Sequence, residues 1–190
     1  LVLNADTCVT VRMGKHRRML TLERGEVVFG VAHDPQRPFR VEAGNGTVIA
    51  LGTRFDVRRE PGQVTVTLLE GSVALERPES GEREQLTPGD QATYGDAATP
   101  IAVRMVDTEV VSSWTRGRLL FRSTPLADVV AEVNRYASTP LQLQDPALGT
   151  LPVSGTFPMG DSESVALALQ ALLPVRVERG DGKRIVLHRR

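Results

Sequence analysis

Ahead of Ala97 the chain offers no room for a helix. After Met13 glycine or proline breaks every stretch longer than ten residues, and no apolar repeat at three-to-four-residue spacing occurs. What recurs instead is alternation. Val9, Val11 and Met13 alternate with Thr10 and Arg12, and Gly14-Lys15-His16 supplies a turn. Leu20 and Leu22 then share a face, and Val27-Val28-Phe29 follows Gly25. Phe39 and Val41, Thr47 to Leu51, Phe55 and Val57, Val64 to Leu68, Val73 and Leu75, and Ala92 and Tyr94 continue the pattern. Many short strands separated by turn signals point to an all-β sandwich, roll or short β-helix. Glu23-Arg24-Gly25-Glu26-Val27 and Leu69-Glu70-Gly71-Ser72-Val73 look alike, with Thr87-Pro88-Gly89-Asp90-Gln91 as a weaker third copy. Either the coils of a winding sheet or generic strand–turn–strand chemistry accounts for them.

The second half reads differently. Gly95 to Pro100 marks a boundary, so residues 1–98 form the β domain, 99–113 a connecting segment and 114–190 an α/β domain. Trp114, the only tryptophan, reads as a core anchor where the halves meet. Leu119 and Phe121 begin a strand. Thr124 and Pro125 then supply a capping hydroxyl and a first-turn proline. Leu126, Val129, Val130 and Val133 fall on one helical stripe, and Pro140 ends the element before the strand at Leu141-Gln142-Leu143. The pattern then repeats. Strand character at Leu151 to Phe157 is followed by an Asp161-Ser162 cap, a stripe of Val165, Ala168, Leu169 and Leu172, and a stop at Pro174. The spacing predicts helices near Pro125–Ala137 and Asp161–Leu173, and a final hairpin around Gly180-Asp181-Gly182. The expectation is two right-handed strand–helix–strand units on one small sheet.

Composition excludes several classes of function. Lys plus Arg and Asp plus Glu are 23 each, so no basic field attracts nucleic acid or an anionic membrane. Aromatic residues are 4%, which argues against stacking platforms for bases or sugars. Cys8 is alone, so no intrachain disulfide forms, and it reads as a small strand residue. The three histidines, His16, His33 and His188, have no metal-ligand spacing, and no cofactor motif is present. His16 sits in a basic turn with Lys15, Arg17 and Arg18, which reads as a solvated hairpin end, as do Lys183-Arg184 and Arg189-Arg190. Gly44-Asn45-Gly46 is a turn rather than a phosphate loop, and Ser154-Gly155 is no nucleophile elbow. Asp56, Glu60 and Glu70 are scattered, so multi-turnover catalysis finds no support.

One bond carries chemistry. A threonine hydroxyl can attack the carbonyl before it, and the glycine of Gly52-Thr53 permits unusual backbone angles. On spacing alone the pair reads as a strand bend at glycine followed by a β-branched residue.

The chain resembles the periplasmic part of FecR-family anti-sigma regulators. The resemblance rests on Asp6-Thr7, Arg24-Gly25-Glu26-Val27, Pro38-Phe39-Arg40-Val41 and Leu51-Gly52-Thr53-Arg54-Phe55-Asp56-Val57. It extends through Glu70-Gly71-Ser72-Val73, Pro88-Gly89-Asp90 and the block from Trp114 to Tyr136. The second half is similar to the short secretin/TonB N-terminal (STN) domain. The features in common are the Leu-x-Phe strand, the Pro-Leu helix start, Val153-Ser154-Gly155-Thr156-Phe157 and the Leu-Leu-Pro end of the second helix.

The resemblance implies a signal receiver in the periplasm of a Gram-negative bacterium. Such proteins hold an extracytoplasmic-function sigma factor through a cytoplasmic segment and cross the inner membrane once. The signalling domain of a TonB-dependent outer-membrane transporter, usually for an iron chelate, contacts the receiver. Site proteases then free the sigma factor. The chain begins at Leu1 without a charged, apolar leader, so it is read as a fragment whose anchor and sigma-binding segment lie upstream. Candidate contacts for the transporter domain are Arg118, Arg122, Arg135, Tyr136, Arg184 and His188, taken as lying on or near sheet edges. Some family members cut themselves at a Gly-Thr pair in this setting, which implies self-cleavage at Gly52-Thr53 with Thr53 Oγ as nucleophile. The competing expectation is a periplasmic envelope- or carbohydrate-binding module with no signalling role.

Overall fold

The computed structural model describes residues 1–15, 17–95, 99–180 and 184–190. The chain divides into two compact units, Leu1–Ser112 and Ser113–Arg190.

The first unit holds strands β1 (Val2–Leu3), β2 (Cys8–Met13), β3 (Arg18–Gly30), β4 (Phe39–Ala43), β5 (Gly46–Ala50) and β6 (Arg54–Glu60). They are followed by β7 (Gln63–Glu70), β8 (Val73–Arg77), β9 (Glu82–Leu86), β10 (Asp90–Tyr94), β11 (Ala102–Met105) and a five-residue helix α1 (Thr108–Ser112). All eleven strands belong to one sheet curled on itself. One layer runs β11-β10-β7-β6 to the C-terminal half of β3, with β1 beyond it. The other runs from β2 through the N-terminal half of β3 to β4-β5-β8-β9. The residues from Met19 to Phe29, expected as two strands, form one, because β3 bends at Gly25 and serves both layers. The period-2 residues of both layers point inward. Leu20, Leu22, Phe29, Phe55, Leu68, Leu75 and Leu86 are fully buried, and Phe29 stacks on Phe55 with ring centroids 5.0 Å apart.

The look-alike glycine segments differ in setting: Gly25 lies inside β3, Gly71 between β7 and β8, and Gly89 in a turn closed by Asp90 N–H donating to Thr87 O at 2.9 Å. Gly25, Gly71 and Gly89 have φ of 89°, 88° and 96°, and each stands where the chain passes from one layer to the other. That conformation strains a residue with a side chain. Space is short as well. A Cβ on Gly25 would lie 2.6 Å from Thr7 Cα, and one on Gly71 would lie 2.7 Å from Thr53 Cγ2. The Leu51-Gly52-Thr53 segment also crosses between the layers, from β5 to β6. The 99–113 segment expected as a connector carries β11, paired with β10, and α1. The boundary proposed at Ala97 and Ala98, like His16, lies outside the described residues.

The second unit opens with a 3₁₀ turn (Ser113–Arg116) that carries the buried Trp114. Then come β12 (Arg118–Pro125), α2 (Leu126–Asn134), β13 (Leu141–Leu143) and a second 3₁₀ turn (Pro146–Thr150). β14 (Pro152–Pro158), α3 (Ser162–Leu172), β15 (Val175–Gly180) and β16 (Arg184–Arg189) complete it. The doubled strand–helix–strand order is present, but on two sheets rather than one. β12 pairs antiparallel with β14, and the second sheet has the order β13-β16-β15. In each copy the helix carries the chain from the first sheet to the second. The terminal strand β16 lies between β13, to which it is parallel, and β15, to which it is antiparallel. The residues expected to turn the last hairpin, Asp181 and Gly182, are outside the described residues, as is Lys183.

Both helices lie close to the predicted positions, with two corrections to their details. β12 extends through Pro125, which is itself the N-cap of α2. Thr124 therefore stays in the strand and does not cap. In α3 the buried stripe is Ser162, Val165, Ala166 and Leu169, while Leu172 is 61% exposed. The difference is a rotation of one helical position. Ser162 Oγ donates to Thr139 O at 2.7 Å, which draws that side of the helix inward. Asp161 caps α3 as expected, accepting from Ser164 N at 3.0 Å, and Leu126, Val129, Val130 and Val133 are all buried.

Candidate functional site

The Gly52-Thr53 corner is tightly packed by two distant segments. The chain from Val31 to Pro38 runs beside it, held by Val31 N–H donating to Thr53 O and Asp34 N–H to Leu51 O, both at 2.9 Å. The Arg18 guanidinium fastens this flanking loop. Its Nε donates to Arg37 O at 2.7 Å, and the terminal nitrogens donate to Ala32 O at 3.0 Å and Asp34 O at 3.3 Å. The Arg37 side chain, bonded to the Asp34 carboxylate at 2.8 Å, holds that carboxyl below its ordinary pKa. Gly52 lies under His33. A Cβ on Gly52 would fall 2.7 Å from His33 Cα, Cβ and Nδ1, so no other residue fits without moving the loop. On the other side Gly71 leaves room for the Thr53 methyl.

Thr53 is 7% exposed, and its Oγ1 is buried with no hydrogen-bond partner among the described residues. Burying a hydroxyl in this way costs on the order of 1–3 kcal/mol, a cost that the Gln91 amide and the Tyr94 hydroxyl avoid. Gln91 Nε2 donates to Thr67 Oγ1 at 2.9 Å, and Tyr94 Oη donates to Ala43 O at 2.9 Å. Burial also pushes the Tyr94 hydroxyl well above its ordinary pKa. The Thr53 hydroxyl thus lies beside its own upstream carbonyl and makes no hydrogen bond among the described residues. Sequence reading found this pair. Its surroundings were not legible, because His33, Gly71 and Arg18 come from three distant segments. Of these, only Gly71 carried a signal, in the repeated glycine segment.

The candidate partner residues separate into pairs. Arg118 and Arg122 are exposed on β12, just before a bulge at which Ser123 takes φ of 49°. Arg135 and Tyr136 meet at the end of α2. Both side chains bond Glu132 Oε1, at 2.8 and 3.2 Å, and the guanidinium lies 5.5 Å from the tyrosine ring centre. Arg184 and His188 lie on β16, where Arg184 donates to Gln142 Oε1 at 3.3 Å and His188 Nε2 is 3.2 Å from Glu178 Oε2. β16 is the central strand of its sheet, so these two are not edge residues. The edge strands are β13, where Asn134 bonds both backbone groups of Leu141 at 2.8 Å, and β15, where Val177 N–H donates to Gln170 Oε1 at 2.7 Å. The cause is chain order. The last strand inserts between the two already present and leaves them outside.

Among the described residues no cluster of three or more His, Cys, Asp or Glu side chains could hold a metal ion. No helix among them is long and apolar enough to cross a membrane.

Residues 1–74 match the profile of a known family. That family is FecR protein. Two crystal structures of a "putative anti-sigma factor" from Parabacteroides distasonis ATCC 8503, at 1.65 and 2.50 Å resolution, are similar over 99% of this chain. Identity to each is 26%, the TM-scores are 0.79 and 0.78, and the alignments cover 89% and 88% of those chains. A search of curated protein sequences gives no significant match. The FecR match lies within the first unit and contains the whole of the Gly52-Thr53 corner, with His33 and Gly71.

Proposed function

We propose that this chain is the signal-receiving region of an anti-sigma regulator that acts in the periplasm. The observation that carries this reading is the similarity to the anti-sigma factor structures across both units, joined to the FecR match in the first. The sigma factor itself would be held by a cytoplasmic segment upstream, and site proteases would free it. In this reading the second unit is an STN-like domain that binds the signalling domain of a TonB-dependent outer-membrane transporter, with iron-chelate uptake as the regulated process. Support comes from its doubled strand–helix–strand order; β13 and β15 stand at the edges of their sheet, where a partner strand would displace the Asn134 and Gln170 side chains. The charged pairs Arg118/Arg122 and Arg135/Tyr136 would provide the polar rim.

The test is transcriptional. In cells carrying the full-length regulator, replacing residues 113–190 with a flexible linker should abolish ligand-induced expression from the sigma factor's promoter while leaving the regulator in the membrane. Induction that survives this replacement rejects the assignment of the receiver to the second unit. Carbohydrate binding, the other class considered, gains no supporting observation from the structure.

A second reading concerns the corner. The buried hydroxyl of Thr53, without a partner among the described residues, favours a single self-cleavage at Gly52–Thr53. Thr53 Oγ1 attacks the Gly52 carbonyl carbon, the C–N bond breaks, and the hydroxyl proton leaves with the Thr53 nitrogen as an amine. Water then hydrolyses the ester. The β5–β8 and β3–β6 ladders would keep the two pieces together. Thr53→Ala should leave the chain intact, and Thr53→Ser should retain cutting. An N-terminus at Thr53 appearing equally in Thr53→Ala rejects this reading.

A further inference from the structure

We propose that His33 is the general base for the hydrolytic half of that cleavage, an inference that rests on the self-cleavage reading. Two steps make different demands. The acyl shift needs a desolvated nucleophile, and Thr53 supplies one by turning its hydroxyl into the core. The hydrolysis needs water beside Gly52, and a group to take its proton. His33 is an exposed residue that covers Gly52, with Nδ1 2.7 Å from the position a Gly52 Cβ would take. A neutral imidazole at that place takes a proton from water as the oxygen bonds to the Gly52 carbonyl carbon. When the tetrahedral species collapses, the bond from that carbon to Thr53 Oγ1 breaks, and the imidazolium returns the proton to Oγ1. The products are a Gly52 carboxylic acid, which ionises in water, and a Thr53 carrying a free amine and hydroxyl.

The loop is built to hold the ring there. Arg18 clamps three of its carbonyls, and two backbone hydrogen bonds set its register against residues 51 and 53. The charged side chains on the segments packed here are Asp34, Arg37 and Arg18 around the loop, and Arg54 with Glu70 at the start of β6 and the end of β7. The absence of a side chain at residue 52 acquires a purpose, since any Cβ there would displace the imidazole.

The experiment follows the whole chain by mass spectrometry over time, as wild type, Thr53→Ala, His33→Gln and His33→Ala. His33 is exposed on a loop, so its variants should keep the circular dichroism spectrum of the wild type. Cleavage in both His33 variants should slow by about 100-fold, the usual size of a general-base contribution. Added imidazole should restore cleavage in His33→Ala but not in Thr53→Ala. Hydroxylamine should trap the waiting ester of the His33 variants as a Gly52 hydroxamate. Cutting of the His33 variants at the wild-type rate overturns the proposal and leaves the self-cleavage reading standing. Slow cutting with neither imidazole rescue nor hydroxamate makes His33 merely structural and also overturns it. A wild-type chain that stays intact defeats the self-cleavage reading, and this proposal with it.

Discussion

Replacing Gly71 with alanine tests whether the layer crossing at Thr53 is as tightly built as the distances imply. Two costs add. Gly71 has φ of 88°, and a residue with a Cβ pays roughly 1–2 kcal/mol to adopt such a conformation. The new methyl would also lie 2.7 Å from Thr53 Cγ2 and 3.2 Å from Gly52 O, an overpacking that costs typically about 1–3 kcal/mol. The expected loss is therefore about 2–5 kcal/mol. Gly62 separates the two costs. Its φ is 77°, but nothing lies within 4 Å of its would-be Cβ, so Gly62→Ala should lose only about 1–2 kcal/mol. Thr53→Ser removes the obstructing methyl, so in the Gly71→Ala background it should recover about 1 kcal/mol or more, a coupling that a double-mutant cycle isolates. Urea unfolding followed by far-ultraviolet circular dichroism measures all four variants. A Gly71→Ala loss no larger than that of Gly62→Ala, or an absence of coupling with Thr53→Ser, would refute the packing argument.

Other expectations are simpler. Leu169→Ala should cost about 2–5 kcal/mol because its side chain is fully buried, whereas Leu172→Ala, at 61% exposed, should stay within roughly 0.5 kcal/mol; chemical denaturation of both decides whether α3 is oriented as described. The Arg77 side chain is 1% exposed, bonded to Glu82 at 2.7 Å and 5.7 Å from the Tyr94 ring centre, so Arg77→Ala should lower stability by about 2–4 kcal/mol, read from the urea midpoint. Acid should weaken the fold in a defined direction. Asp34, Asp90, Asp161 and Glu82 have pKa values held below their ordinary 3.8 and 4.5, chiefly by side-chain hydrogen bonds from Arg37, Thr87, Ser164 and Ser80 in turn. Their contribution is complete above those ordinary values and is lost as pH falls through the lower folded ones, so stability measured from pH 7 downward should decline only below about pH 4.5.

What the sequence disclosed follows from which forces are local. The Leu126-Val129-Val130-Val133 stripe and the Asp161 cap are set by residues a few positions apart, and both stand as read. Alternation likewise identified Leu20, Leu22, Phe55 and Leu68 as core. The alternation could not say that β3 is one bent strand serving two layers, because Gly25 signals a break equally in a turn and at a bend. Nor could it order the sheets. β16 enters between β13 and β15 through pairings more than forty residues apart on one side, which moved Arg184 and His188 from an expected edge to a centre. Leu172 kept the helical period but lost the face, since Ser162 bonding to Thr139 rotates α3. At the candidate site, Gly52 and Thr53 were legible as a pair. The His33 side chain above Gly52 was not, because a loop residue nineteen positions upstream is placed by hydrogen bonds that no local pattern encodes.

The central claim is that the second unit receives a signal from a transporter domain. Isothermal titration of the purified chain with the signalling domain of its cognate TonB-dependent transporter tests this most directly, alongside a chain truncated after Ser112. The account predicts saturable one-to-one binding by the full chain, weakened by Arg118→Glu or Arg122→Glu, and none by the truncated chain. Equal binding by both chains, or no binding by the full one, would contradict it.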